Sequence, residues 1–433
     1  IKQLNDRSKM YYTPNKENNV FQLVVQYGAG EREFPKLGYA AQLMNNAGIM
    51  GAYEPQELKE ELSKLNATCH VTADDDNLYI IMEGYEATLP QACQLLSRQI
   101  LMPKLDEKQL ARLKGSAMGM RQQRKDNVSI LNEALRQYML YGEKSDYIKE
   151  LTDKEIYELQ ISELTGDINR ASNYEAKVFF TGTLPFDQVY DILSKNLPLV
   201  ANERPSNSPQ AKDMMPVTEN TVYFLPNNDA EQAQIHLYIP MQKADKKDDV
   251  LRSAFNQYFG LDFTGIVLNE IREKRSMAYT AYAFVGTQGI AGKASYLRGY
   301  IGTQNDKAND ALDVLMGLVN DMPKNPERID NIKSYLRQAM LTSHPSFRNK
   351  AMELVDLGYR GYTDDPAKEN LPKVDALTFD DIVKFYEENI KDKPYCISIM
   401  GNPKNIDLKR LEKFGKVVKL NERKLFNTKD ALF

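Results

Sequence analysis

The chain repeats itself, and that limits what it can become. The stretches "VFQLVVQY" at 20–27 and "AQIHLYIP" at 233–240 both read as strands, and each leads into an apolar-periodic helix that ends in glycine, at Gly48 and Gly260, an offset of 212. In both places a second helix then breaks into alternating segments: "ELKEELSKLNATCHVTADDDNLYIIMEGY" and "IVLNEIREKRSMAYTAYAFVGTQ…SYLRGYIGTQ". "LMPK" at 101–104 returns as "DMPK" at 321–324, and the closing "KVFFTGTLP" returns as "CISIMGNPK", with Gly182 and Gly401 an offset of 219 apart. Landmarks that recur in one order with a slowly drifting offset mark a duplicated unit. Each unit mixes meandering strands with long helices, so the expected class is α+β: two duplicated domains, each a largely antiparallel sheet with helices packed on one face. The Pro-, Ser- and Asn-rich run at 201–216 reads as the connection. It divides the chain into a first repeat at 1–203, a linker at 204–216 and a second repeat at 217–433.

Composition excludes several classes. Basic and acidic residues nearly balance, 56 against 60, for a net charge of −4, so there is no basic footprint for nucleic acid. No apolar run approaches the roughly 18–20 residues that span a bilayer. The opening "IKQLNDRSKMYY" lacks the apolar core of a signal peptide, and its first residue is Ile. The expectation is a soluble chain, processed or cut from something longer, whose compartment the sequence leaves open. Cys69, Cys93 and Cys396 are too few and too scattered for a disulfide framework. The three histidines, His70, His236 and His344, show no ligand spacing. In "AQIHLYIP" alternation sets His236 on the face opposite Ile235, Leu237 and Ile239, as a hydrogen-bonded sheet histidine. Cys69 and His70 point to opposite faces of one strand and cannot chelate one ion.

Most motifs fail on inspection. Asp74, Asp75 and Asp76 lack the alternation, central glycine and distal glutamate of a calcium loop, and read as a turn. "GTQGIAGKAS" at 286–295 has Thr287 and Ala294 where a phosphate-binding loop needs glycine and a hydroxyl. No G-x-S-x-G nucleophile elbow occurs. Two stretches keep their interest. In "PKLGYAAQLMNNAG" (35–48), Ala41, Met44 and Asn45 share one helix face; His, Glu and His there would be two metal ligands and a general base. Just before and within "NEIREKRSMAY" (269–279), Val267, Leu268 and Ile271 form a helix stripe before the pattern turns strand-like. Arg272 sits near the helix end and Tyr279 seven residues on, where the first repeat has Leu62 and Cys69.

"FTGIVLNEIREKRSMAY" (263–279) closely resembles the C-terminal-half signature of the pitrilysin/insulysin family of zinc metallopeptidases, which includes mitochondrial-processing-peptidase-like members. The order of elements, the "MPK" and the closing strand–glycine turn also fit, over about residues 18–420. The resemblance implies a pitrilysin/processing-peptidase-like fold. An active half of that family carries H-x-x-E-H on the first long helix. Here the two histidines fall on Ala41 and Asn45 and the glutamate on Met44, while the third ligand falls near 118–121, "MGMR", without a carboxylate. The second repeat offers Ser253, Asn256 and Gln257, which are no better. The resemblance therefore implies a non-catalytic, substrate-binding half of a zinc metalloendopeptidase, with no cofactor of its own. Zinc would sit on a partner half or subunit, and the substrate would be an unfolded peptide. Arg272 and Tyr279 would be the substrate-binding donors reaching into the partner's site. Ser276 stands where the family usually has glycine. The alternative is a structural, non-peptidase homologue, a scaffold subunit like the core proteins of respiratory cytochrome complexes. An independent enzyme finds no other constellation to support it.

Overall fold

The computed structural model describes residues 1–200, 203–260 and 264–429, so Phe263, the first residue of the signature, lies outside the described residues. It contains two six-stranded sheets. The first holds β1 (Lys2–Gln3), β2 (Lys9–Pro14), β3 (Val20–Tyr27), β4 (Thr68–Ala73), β5 (Leu78–Tyr85) and β6 (Ala176–Gly182), in the order β1-β2-β6-β3-β5-β4. The second holds β7 (Thr221–Pro226), β8 (Gln232–Lys243), β9 (Thr280–Thr287), β10 (Ala294–Gln304), β11 (Cys396–Gly401) and β12 (Lys416–Lys419), in the order β12-β7-β11-β8-β10-β9. Five strands follow one another identically in the two sheets. In each, the early strand runs parallel to the late one (β2 with β6, β7 with β11) and the others pair antiparallel. The sixth strand differs: β1 is antiparallel to β2, whereas β12 is parallel to β7. The class is α+β, with one topology used twice.

Alternation in the strands sets which face is buried. Phe21, Leu23, Val25 and Tyr27 of β3, and Ala233, Ile235, Leu237 and Ile239 of β8, are sealed beneath the helices of their own unit. The helices that matter below are α1 (Leu37–Met44), α2 (Pro55–Lys64), α3 (Glu107–Gln122), α4 (Val128–Tyr141), α5 (Asp249–Phe259) and α6 (Lys350–Tyr359). Local signals start them: Pro55 opens α2 inside a Glu54–Glu57 capping box, and the Asn127 side chain caps α4 by accepting the Ile130 N–H at 3.1 Å.

The opposite sheet faces are apolar in part as well, and they are covered by exchange. Helix α4 lies between strands of the first sheet in sequence, yet it packs on the second sheet, burying Leu131, Ala134 and Leu135 against Leu225 of β7 and Met400 of β11. Helix α6 lies between strands of the second sheet and sets Ala351 against Val24 of β3 and Phe179 of β6. Each sheet is therefore packed by its own helices on one face and by a helix of the other unit on the second. Leaving those strand faces wet would forfeit about 25 cal/mol for each Å² of apolar surface.

The glycines that close each unit have a shared cause. A Cβ on Gly401 would lie 2.6 Å from Asn305 Oδ1, and a Cβ on Gly182 would run into the Glu86 carboxylate. Those acceptors cap the turn that follows: Asn305 Oδ1 takes the Asn402 N–H at 2.8 Å, and Glu86 takes the N–H groups of Thr183 and Leu184. Along the connection, Glu175 donates its N–H to Arg204 O at 2.7 Å and Met215 donates its N–H to Leu140 O at 2.7 Å. Among the described residues no helix is long and apolar enough to cross a membrane.

Candidate functional site

The segment at 265–280 turns an apolar stripe into an outward-facing pair. Val267, Leu268 and Ile271 are buried in the second core, which anchors the helix Ile266–Leu268 and the π-helical turn Asn269–Glu273 behind it. The Lys274 N–H reaches back to Asn269 O at 2.9 Å, the i+5 bond of a π turn. With Ile271 fixed inward, Arg272 points out. The chain then reverses: Ser276 donates its N–H to Arg272 O at 2.8 Å and itself adopts φ +51°. Tyr279 donates its N–H to Gly302 O at 3.0 Å, directly before β9 begins at Thr280.

Both side chains end in solvent. Tyr279 is 59% exposed and the Arg272 side chain 46% exposed. They line one open cleft of about 380 Å³ with Ser276, Gln304 and Lys307. The guanidinium has one long ion pair, to Glu273 at 3.6 Å. Its other acidic neighbour, Glu270, is taken by Lys274 and Arg275, whose hydrogen bonds hold that carboxyl below its usual range. Donor capacity on Arg272 and Tyr279 is thus left facing the cleft. Lys307 also braces the turn, its Nζ donating to Ser276 O at 3.3 Å. Sequence reasoning missed Lys307 and Gln304; Gln304 ends β10 and Lys307 follows it, and only the pairing of β9 with β10 brings them beside Tyr279.

The matching place in the first repeat is built differently. Ala41 and Met44 are buried in the core at 1% exposure each. Asn45 is half-buried and turned onto β4, accepting the Val71 N–H at 2.8 Å and donating to Val71 O at 2.9 Å. At 118–121 on α3, Met118 packs on the core and Arg121 pairs with Asp153 at 2.7 Å, so a cation occupies the region where the resemblance implies an anionic ligand. Neither the buried apolar pair nor the engaged amide fits a metal. Among the described residues no group of three or more His, Cys, Asp or Glu could hold a metal ion. Leu62 and Cys69 line a cleft of about 480 Å³ there with Met44, Asn45 and Val71. Asn66, at φ +48°, takes the left-handed place that Ser276 takes in the second repeat.

His236 lies buried on the sheet face under α4, its Nε2 3.0 Å from Asn132 Oδ1. Because that oxygen can only accept, Nε2 carries the proton. Burial first, then Arg298 and Arg136, push the imidazole down to about 3.

Residues 172–336 match the family model of the peptidase M16 inactive domain. Solved structures share the fold across nearly all of the chain. The peptidase M16 inactive domain from Pseudomonas fluorescens is similar with TM-score 0.70 and 16% identity, covering 92% of this chain and 97% of that one. A conserved protein from Enterococcus faecalis is similar with TM-score 0.74 and 14% identity, covering 94% and 99%. The periplasmic protease PqqL from Escherichia coli is similar with TM-score 0.70 and 13% identity, covering 91% of this chain but 44% of its own length. The fold therefore occurs both as a whole chain of this size and as less than half of a longer one. No curated protein matches the sequence.

Proposed function

We propose that this chain, whose residues 172–336 match the family model of the peptidase M16 inactive domain, is the substrate-binding, non-catalytic half of a zinc metalloendopeptidase. The observation that carries the reading is the cleft shared by Arg272 and Tyr279, where a guanidinium and a phenol face solvent with donors to spare. In this reading the chain works beside a zinc-bearing half. An unfolded peptide lies between them, and Arg272 and Tyr279 donate to the carbonyl oxygen under attack as it gains charge. Arginine offers a fixed fork of donors and tyrosine one O–H on a stiff side chain. The metal supplies the activated water and belongs to the partner, since Ala41, Met44 and Asn45 offer it nothing. We place the two repeats at 1–203 and 217–433 with 204–216 between them.

The test is steady-state peptide hydrolysis by the chain assembled with a zinc-bearing half. Tyr279→Phe keeps the ring and removes the donor, which should lower kcat/KM by about 100- to 1,000-fold. Arg272→Ala should impair both binding and turnover, and neither variant should shift the thermal melt of this chain, because both groups face solvent. A Tyr279→Phe enzyme within about twofold of wild type, far from the loss of an oxyanion donor, would leave the pair structural and favour the scaffold-subunit alternative.

A further inference from the structure

Strands β4 and β9 end their sheets. An edge strand turns every second residue's N–H and C=O outward, a template for any extended chain. At Val71 of β4 and Val285 of β9 those groups are already taken, and in the same way. Asn45 meets Val71 as described. Asn256, 211 positions later on α5, accepts the Val285 N–H at 2.6 Å and donates to Val285 O at 3.0 Å. A carboxamide carries an acceptor and donors in one plane, so it reproduces one residue of a strand ladder. The next outward amide of β9, Ala283, gives its N–H to Gly260 O at 3.0 Å. The far ends of the sheets are guarded by other means: β1 has two residues, and β12 exposes Lys416 and Lys419, charges of the kind that deter edge pairing.

We propose that Asn45 and Asn256 are edge clamps, which occupy the strand-acceptor positions of β4 and β9 and keep an extended peptide from adding to this half's own sheets. A peptide substrate then meets this half through side chains at the Arg272–Tyr279 cleft, not as an added strand. The clamp rests on the fold alone; its consequence for substrate rests on the function proposed above.

Amide hydrogen exchange on the full chain reads the clamp without any partner half. The Val71 and Val285 amides should exchange slowly in wild type. In Asn45→Ala the Val71 amide, and in Asn256→Ala the Val285 amide, should exchange about tenfold faster, the loss of roughly one hydrogen bond, each without affecting the other. A blocked, benzophenone-labelled peptide of alternating Thr and Val should cross-link to β4 or β9 only in the variants, as mapped by mass spectrometry. Should an alanine variant not fold, Asn→Ser, too short to bridge both groups of the valine, should give the same faster exchange. Wild-type Val71 and Val285 amides exchanging as open edge amides, wild-type cross-links on β4 or β9, or variants that capture no more peptide than wild type would each overturn the proposal. Failure of Tyr279→Phe to slow hydrolysis would strike the function and leave the clamp standing.

Discussion

Replacing His236 by glutamine should make the chain more tolerant of acid. His236 is buried on β8 beneath α4, facing Asn132 and Arg136 of that helix, Arg298 of β10, and the Tyr300 ring at 5.1 Å. Its imidazole titrates at about 3 in the folded chain, against 6.5 when exposed. Below pH 6.5 the unfolded chain therefore takes up a proton that the folded chain refuses, and stability falls as pH falls from 6.5 toward 3. At pH 5, one and a half units below the unfolded value, the loss is about 2 kcal/mol, at about 1.36 kcal/mol per unit. Glu31 acts in the opposite sense. Burial, then Asp75 and Asp74, raises its carboxyl from 4.5 to about 7, so the stability it lends is present below 4.5 and is lost as pH rises through 7. The wild-type curve alone thus mixes the two. His236→Gln can still donate to Asn132 and leaves Glu31 untouched, so the difference between variant and wild type isolates the histidine. Urea unfolding of both proteins at pH 7.5 and pH 5 gives it. The gap should shift in the variant's favour by about 2 kcal/mol on acidification. A gap that stays constant between the two pH values would refute the claim that a neutral, proton-refusing histidine sits at this junction.

Leu135→Ala on α4 should cost about 3 kcal/mol, as for a buried leucine whose site cannot collapse, whereas Leu354→Ala on α6, at a 48% exposed position, should cost under about 0.5 kcal/mol; urea melts compare them, and equal losses would deny that α4 seals the second sheet. Ser276→Gly should stabilise the chain by up to about 1 kcal/mol, the left-handed strain of a non-glycine residue less glycine's greater unfolded entropy, and a lower melting temperature would refute the strain argument. After dialysis against chelator and then zinc, metal analysis should find no zinc held one-to-one by this chain, and stoichiometric retention would refute the reading of Ala41, Met44 and Asn45.

The duplication was legible because its landmarks carry physical causes. Gly182 and Gly401 recur since a side-chain acceptor, Glu86 or Asn305, leaves no room for a Cβ at either turn. The stripe of Val267, Leu268 and Ile271 marked a helix correctly, but nothing in it announced the π turn at 269–273, because an i+5 bond leaves no imprint on side-chain period. The exchange of α4 and α6 was not legible either. An amphipathic pattern states that a face is buried and is silent about which sheet buries it. Asn45 shows the same limit at one residue: alignment with a family motif marked it as a vacant ligand position, and only the position of β4 reveals the amide's bonds to Val71. The signal was nonetheless present, since Asn256 stands 211 positions on, in the corresponding helix.

The Arg272–Tyr279 cleft and the first repeat's cleft occupy corresponding places and differ in lining. Both lie where a helix turns back into an edge strand, and both turns pass through a left-handed residue, Asn66 or Ser276. Asparagine tolerates that conformation better than serine, so the first turn is the better suited locally and the second is strained. The strained turn is the one bearing the outward polar pair, Arg272 and Tyr279, while the relaxed one carries half-buried Leu62 and Cys69. Backbone strain of this kind gathers at functional sites. Among the described residues one cleft carries such a pair, so under the function proposed above each copy should pair with a single zinc-bearing half. A titration of hydrolytic activity against added chain should therefore break at one-to-one; a break at two halves per chain would require the first repeat's cleft, whose lining holds no arginine or tyrosine, to serve as a second site.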